Sequence, residues 1–134
     1  MKWIPGTLLS LSLLTVGCSD PVAPATPTPV PPTITDTFTG TLVVLGLNTH
    51  PFVVTQVGDV SIALTDMTPS AAVNLGVGTA GATGCSVIRF VTAVAGSTPQ
   101  IVGTASTTGN FCVSVSDAGN LVEPVTYTIV VRHP

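Results

Sequence analysis

From Asp36 to the end of the chain, apolar residues recur at every second position, and β-branched side chains dominate the runs. Period two places alternate side chains on opposite faces of an extended strand, whereas a helix needs apolar residues three and four apart. The pattern therefore predicts strands and no helix of any length. They fall at Thr37 to Leu45, His50 to Val57, Val60 to Thr65, Ala72 to Val77, Cys85 to Thr92, Gln100 to Ala105, Asn110 to Ser116 and Val125 to Arg132, with Gly, Asn, Asp or Pro at the breaks. In three of them the inward set is plain: Val60, Ile62 and Leu64; Phe111, Val113 and Val115; Tyr127, Ile129 and Val131. About eight short strands, each with one apolar face, must hide those faces against one another. The fold class predicted is all-β, a two-sheet antiparallel β-sandwich of Greek-key or jelly-roll type, with a closed barrel as the alternative.

The breaks differ in kind. Gly58-Asp59 is the tightest turn signal, while the stretch from Gly76 to Gly84, with Gly78 and Gly81 inside it, is too long and glycine-rich for a hairpin turn and reads as a loop, a candidate for function or for plain mobility.

The residues before this domain address the chain. Met1-Lys2 is a positive start, and Ile4 to Val16, rich in leucine, has the length of a signal-peptide core and falls short of the roughly 20 residues of a membrane span. The stretch Leu14-Thr15-Val16-Gly17-Cys18 resembles the bacterial lipobox. The resemblance implies cleavage before Cys18, lipid on its thiol and a membrane anchor, with the protein in the cell envelope, at the outer membrane or cell surface of a bacterium. Ser19 is not an acidic residue of the kind that signals inner-membrane retention. Residues 1–17 are thus read as signal, 18–35 as lipidated cysteine and linker, and 36–134 as the domain. Proline recurs through Pro21, Pro24, Pro27, Pro29, Pro31 and Pro32, fixing φ and holding the preceding residues extended. At about 3.1 Å per residue such a stalk reaches some 40 to 50 Å from the lipid headgroups. Its threonines are acceptor candidates for sugars.

Charge narrows the partners. After the signal, Asp20, Asp36, Asp59, Asp66, Asp117 and Glu123 face only Arg89 and Arg132, with no lysine. Neutralising a phosphate backbone takes clustered Lys or Arg, so nucleic acid is excluded as a partner. A surface of Thr, Ser, Gly and Ala repels copies of itself weakly and is compatible with self-association.

With Cys18 committed to lipid, Cys85 and Cys112 form an even pair in a compartment that permits disulfides, and a bond between them is expected. A metal site is the poorer reading, since only His50 and His133 are available to join two isolated cysteines. Chemistry is otherwise scarce. Neither histidine stands in a triad setting, the acids are scattered, and His50 reads as the start of a strand, so no catalytic site is expected. The densest polar cluster, Asp117-Ala118-Gly119-Asn120, followed by Glu123, offers Asp117, Asn120 and Glu123 as weak calcium candidates. Asp and Asn beside Gly also shape turns, and that is the reading preferred, with no cofactor.

The order of segments resembles the bacterial pre-peptidase C-terminal domain family, small secreted β-sandwiches found on surface proteins and beside proteases. The resemblance spans roughly Phe38 to His133. It rests on Phe38-Thr39-Gly40-Thr41-Leu42, on His50-Pro51-Phe52-Val53-Val54 leading into Gly58-Asp59-Val60-Ser61-Ile62-Ala63-Leu64, on Gly109-Asn110-Phe111-Cys112-Val113-Ser114-Val115, and on Tyr127-Thr128-Ile129-Val130-Val131. Ala72-Val73-Asn74-Leu75-Gly76-Val77 lacks the Asp residues that the family often carries there. The resemblance implies a non-catalytic accessory or binding module. Two functions follow as expectations: a surface binding or adhesion module for a protein or glycan ligand, and a structural envelope component that self-associates or packs on envelope partners. The scarcity of aromatic residues weighs against glycan.

Overall fold

Eight strands carry the fold: β1 (Ile34–Leu42), β2 (Leu47–Val54), β3 (Gly58–Thr68), β4 (Val73–Gly81), β5 (Gly84–Ala93), β6 (Ile101–Ala105), β7 (Gly109–Asp117) and β8 (Val125–His133). The computed structural model describes Gly17 and residues 21–134, so the signal segment and Cys18 lie outside the described residues. The strands form two four-stranded antiparallel sheets in the orders β1-β8-β3-β6 and β2-β7-β4-β5. The sheets pack face to face as an open sandwich. No helix among the described residues is long and apolar enough to cross a membrane.

Alternation explains the core. The inward sets expected for β3, β7 and β8 all face it, with Ile62, Leu64, Val113, Val115, Ile129 and Val131 fully or nearly fully buried and Val60 and Phe111 packed at its margin. Leu42, Phe52, Val54, Val73 and Leu75 complete it from the remaining strands. Each such side chain contributes roughly 1.5 to 3 kcal/mol by leaving water, which is how a chain so poor in charged contacts holds together.

The sheets meet at two open sides. On one, edge strands β1 and β2 are joined by the turn at residues 43–46; on the other stand edge strands β5 and β6, joined by residues 94–100. That second connection is anchored on β3. Gly96 and Gln100 donate backbone bonds to the Leu64 and Ile62 carbonyls, and the Gln100 amide brackets Leu64 by accepting from its N–H and donating to its carbonyl. The segment covers the part of the β3 edge that short β6 does not reach.

Several boundaries differ from expectation. The first strand begins at Ile34, inside the expected linker, and ends at Leu42, because Ile34 pairs with His133 and the sheet partner continues that far. Strand β2 starts at Leu47, which makes His50 a mid-strand residue. The turn before β3 comprises residues 55–57, and Gly58-Asp59 are paired with Ala105 and Thr104 as the first residues of β3.

The largest correction concerns the glycine stretch from Gly76 to Gly84. It is a hairpin: β4 runs to Gly81, β5 starts at Gly84, and Ala82 and Thr83 alone form the turn. The glycines serve close approach. A Cβ on Gly76 would come within 2.6 Å of the Ser114 hydroxyl, and one on Gly78 would overlap the Ser86 carbonyl. Beside Gly78 the register shifts, Val77 facing Arg89 and Gly78 facing Val87, so that Ile88 is the extra residue of a bulge that bends β5. This bend brings β5 to β7 across the intervening β4. Cys85 and Cys112 are disulfide-bonded there, with their Cα atoms 5.8 Å apart.

Candidate functional site

The end of the sandwich farthest from the linker is apolar. Strand β1 receives the linker at Ile34 and, after nine residues, delivers the chain at Leu42 into Val43-Val44-Leu45-Gly46, a turn closed by a 2.8 Å bond from the Gly46 N–H to the Val43 carbonyl. Val43, Val44 and Leu47 are exposed, Leu45 is 86% exposed, and Val122 in the adjoining loop is 92% exposed. Leu45 also has φ of 59°, in the left-handed region that non-glycine residues seldom adopt. An apolar side chain held in water on a strained backbone has been placed there by its surroundings.

Asp117 does the placing. Its Oδ2 accepts the Leu45 N–H at 2.9 Å, while Oδ1 accepts from Gly119, Asn120 and Leu121 at 2.8, 3.0 and 3.2 Å. Its own N–H donates to the Gly46 carbonyl at 3.1 Å. The β1–β2 turn and the β7–β8 loop are therefore clasped together. The Leu45 N–H, assisted by the other three, holds the Asp117 carboxyl below its ordinary pKa of 3.8, against a smaller opposing effect of desolvation. Of the calcium candidates, Asp117 spends both oxygens on backbone N–H groups and Asn120 donates a long 3.5 Å bond to the Ala72 carbonyl. No group of three or more metal-binding side chains forms among the described residues. The loop is a turn shaped by a carboxylate.

A polar and aromatic seam closes the β1–β2 side. Asn48 Nδ2 donates to the Thr41 carbonyl at 2.8 Å and to the Tyr127 hydroxyl at 3.0 Å, and the Tyr127 hydroxyl lies 2.7 Å from His50 Nε2. Phe38 stacks on the His50 ring at 4.9 Å, and Gly40 leaves room for the Tyr127 ring, since a Cβ there would meet its oxygen at 2.6 Å. Burial lowers the His50 pKa from 6.5 and raises that of Tyr127. At the linker end, buried His133 meets Asp36 at 2.9 Å and packs on Phe52. Neither histidine has a Ser or Cys side chain among its hydrogen-bond partners: Asn48 and His50 bond across to β1 and β8 of the other sheet, and His133 bonds to Asp36 on the neighbouring strand of its own sheet. The sequence held a signal for this seam: Asn48, His50 and Phe52 share one parity, so polar groups on the inward face of β2 require inward partners.

The β5–β6 side is left apolar and incompletely closed. A crevice of about 220 Å³ lies between the sheets, lined chiefly by Phe52, Ile62, Val77, Ile101 and Phe111, with Ile88 and Arg89 at its rim. Arg89 Nη1 donates to the Val102 carbonyl at 2.9 Å, bridging the two edge strands.

Compared with protein-family models and with curated proteins, the sequence matches none.

Proposed function

We propose that the protein is a non-catalytic, lipid-anchored component of the bacterial cell envelope whose β-sandwich, similar to pre-peptidase C-terminal domains, presents the apolar tip at residues 43–47 to a protein partner. The observation that carries this reading is the opposition of linker and tip. The chain enters the domain at Ile34 and reaches the tip after the length of β1, about 30 Å, so an anchor at Cys18 directs Leu45 away from its own membrane. Val43, Val44, Leu45, Leu47 and Val122 are aliphatic, which suits a protein surface better than a glycan, for which aromatic platforms are the usual contact.

The test is cross-linking on intact cells with wild type, Val44→Ser and Leu45→Asn. Asparagine tolerates the left-handed backbone, so Leu45→Asn removes the apolar contact without straining the fold. A specific adduct lost in both tip variants supports the reading. An adduct unchanged in both overturns it. Cys18→Ser should move the protein from the membrane to the soluble fraction; firm membrane retention of that variant would refute the anchor.

Self-association is the second reading, favoured by the free edge of β5. Natural edges are commonly guarded by Lys, Pro or short length, whereas β5 is ten residues long, exposes Val87, Ile88 and Phe90, and carries Arg89 as its one charge, with the bulge at Ile88 as its one guard. Sedimentation distinguishes the two: a dimer dispersed by Phe90→Lys supports edge pairing, and a monomer at all concentrations rejects it.

A further inference from the structure

We infer that the crevice between β5 and β6 is a binding site for a short-chain anionic amphiphile, with a carboxylate head at Arg89 and an acyl chain between the sheets. The volume of about 220 Å³ exceeds that of an apolar cavity that takes up benzene, about 150 Å³, and remains below the range of pockets that enclose a whole drug-sized ligand. It admits the tail of a ligand and leaves the head at the rim. Phe52, Val54, Ile62, Val77, Ile101 and Phe111 offer that tail no hydrogen-bonding group, so a polar ligand entering there would lose its water contacts without replacement.

The head is set by Arg89. A guanidinium has five N–H donors, and Arg89 spends one on Val102, leaving a planar fork that matches a carboxylate. No carboxylate pairs with Arg89 among the described residues, the ion pair there being His133 with Asp36. Asp59, the acid on neighbouring β3, is bonded to Thr104 and stands on the face opposite inward-facing Val60. A domain with more acids than bases does not attract anions in general, so the attraction is local to this rim. A purely structural strap from β5 to β6 would need one donor and no charge. An uncompensated cation beside an apolar crevice instead matches a molecule that is negative at one end and apolar at the other.

The test uses the mature protein, residues 18–134, carrying Cys18→Ser so that it bears neither signal nor lipid, titrated with octanoate, octanol and acetate and followed by amide chemical shifts and calorimetry. Octanoate should bind saturably, shifting Ile62, Ile101 and Ala105, with acetate inert. Arg89→Gln, an exposed substitution that leaves the core intact, should weaken octanoate at least about tenfold and leave octanol unchanged. Saturable octanol binding shows that the crevice accepts the chain. Absence of octanoate binding, equal octanoate affinity in wild type and Arg89→Gln, or shifts confined to residues 43–47 would each overturn the assignment.

Discussion

His50 Nε2 lies 2.7 Å from the Tyr127 hydroxyl and ties edge strand β2 of one sheet to β8 of the other. Asn48 donates to the same oxygen, which leaves the hydroxyl hydrogen for His50 and fits a neutral imidazole accepting at Nε2. Tyr127→Phe removes the shared oxygen and strands Asn48 and His50 at the seam. The expected cost is about 1 to 2 kcal/mol, the range for partly buried groups that lose a partner. Urea denaturation should show a lower midpoint with an unchanged slope, because the surface exposed on unfolding stays the same.

The same seam gives the domain a pH limit. Burial holds the His50 pKa below 6.5, so the unfolded chain takes up its proton near 6.5 while the folded chain resists until a lower pH. Between those values the unfolded state binds more protons, and stability falls as pH falls. The His50 contribution should be complete above pH 6.5 and lost as pH drops through the folded pKa. His50→Gln should flatten the dependence of melting temperature on pH across this window, and an identical slope in both proteins would rule His50 out as its source.

Strand content was legible in the sequence because it rests on parity, and parity survives errors at the ends. Ile62, Leu64, Val113, Val115, Ile129 and Val131 occupy the face their spacing assigns. Glycine misled, since a residue that commonly marks loops also marks places where two backbones nearly touch. Gly76 and Gly78, two apart, sit on one strand face, beside Ser114 and Ser86. The candidate surfaces were legible only in part. Asp117 was visible as a turn former, but its bond to Leu45 spans 72 residues and depends on which sheet each strand joins. Arg89 faces the crevice by ordinary alternation, sharing the parity of Val91 and Ala93 and pairing with Val77, but a lone arginine in a strand does not reveal that the cavity it borders is left open by the neighbouring edge strand.

Asp117 should act on stability without metal. Its carboxyl titrates below 3.8, chiefly because it accepts the Leu45 N–H, so its contribution is present above pH 3.8 and disappears as pH falls through the depressed folded value. Asp117→Ala should lower the melting temperature and release Leu45 from its left-handed conformation, visible as a loss of amide-exchange protection at residues 45 and 119–121. Chelation of calcium should shift the melting temperature of the wild type by no more than about two degrees. A large drop on chelation, restored by calcium and absent in Asp117→Ala, would establish a metal site.

The disulfide and Gly78 form one device, and each variant should reveal the other. The bond joins β5 to β7 over β4, which requires the Ser86 backbone to press on β4 at Gly78, where there is no side chain in the way. For cysteines 27 residues apart, loop-closure entropy gives a stabilisation of about 3 to 4 kcal/mol, so the double Cys→Ser variant should unfold at markedly lower denaturant. Gly78→Ala forces a methyl against the Ser86 carbonyl, and relief requires the lower half of β5 to lift away, at a cost of about 1 to 3 kcal/mol with the bond intact. In the Cys→Ser background β5 is free to lift, so the same substitution should cost less there. A double-mutant cycle measures the difference: a coupling near zero would show that Gly78 is independent of the bond, whereas a coupling above about 0.5 kcal/mol places both in one bend of the sheet.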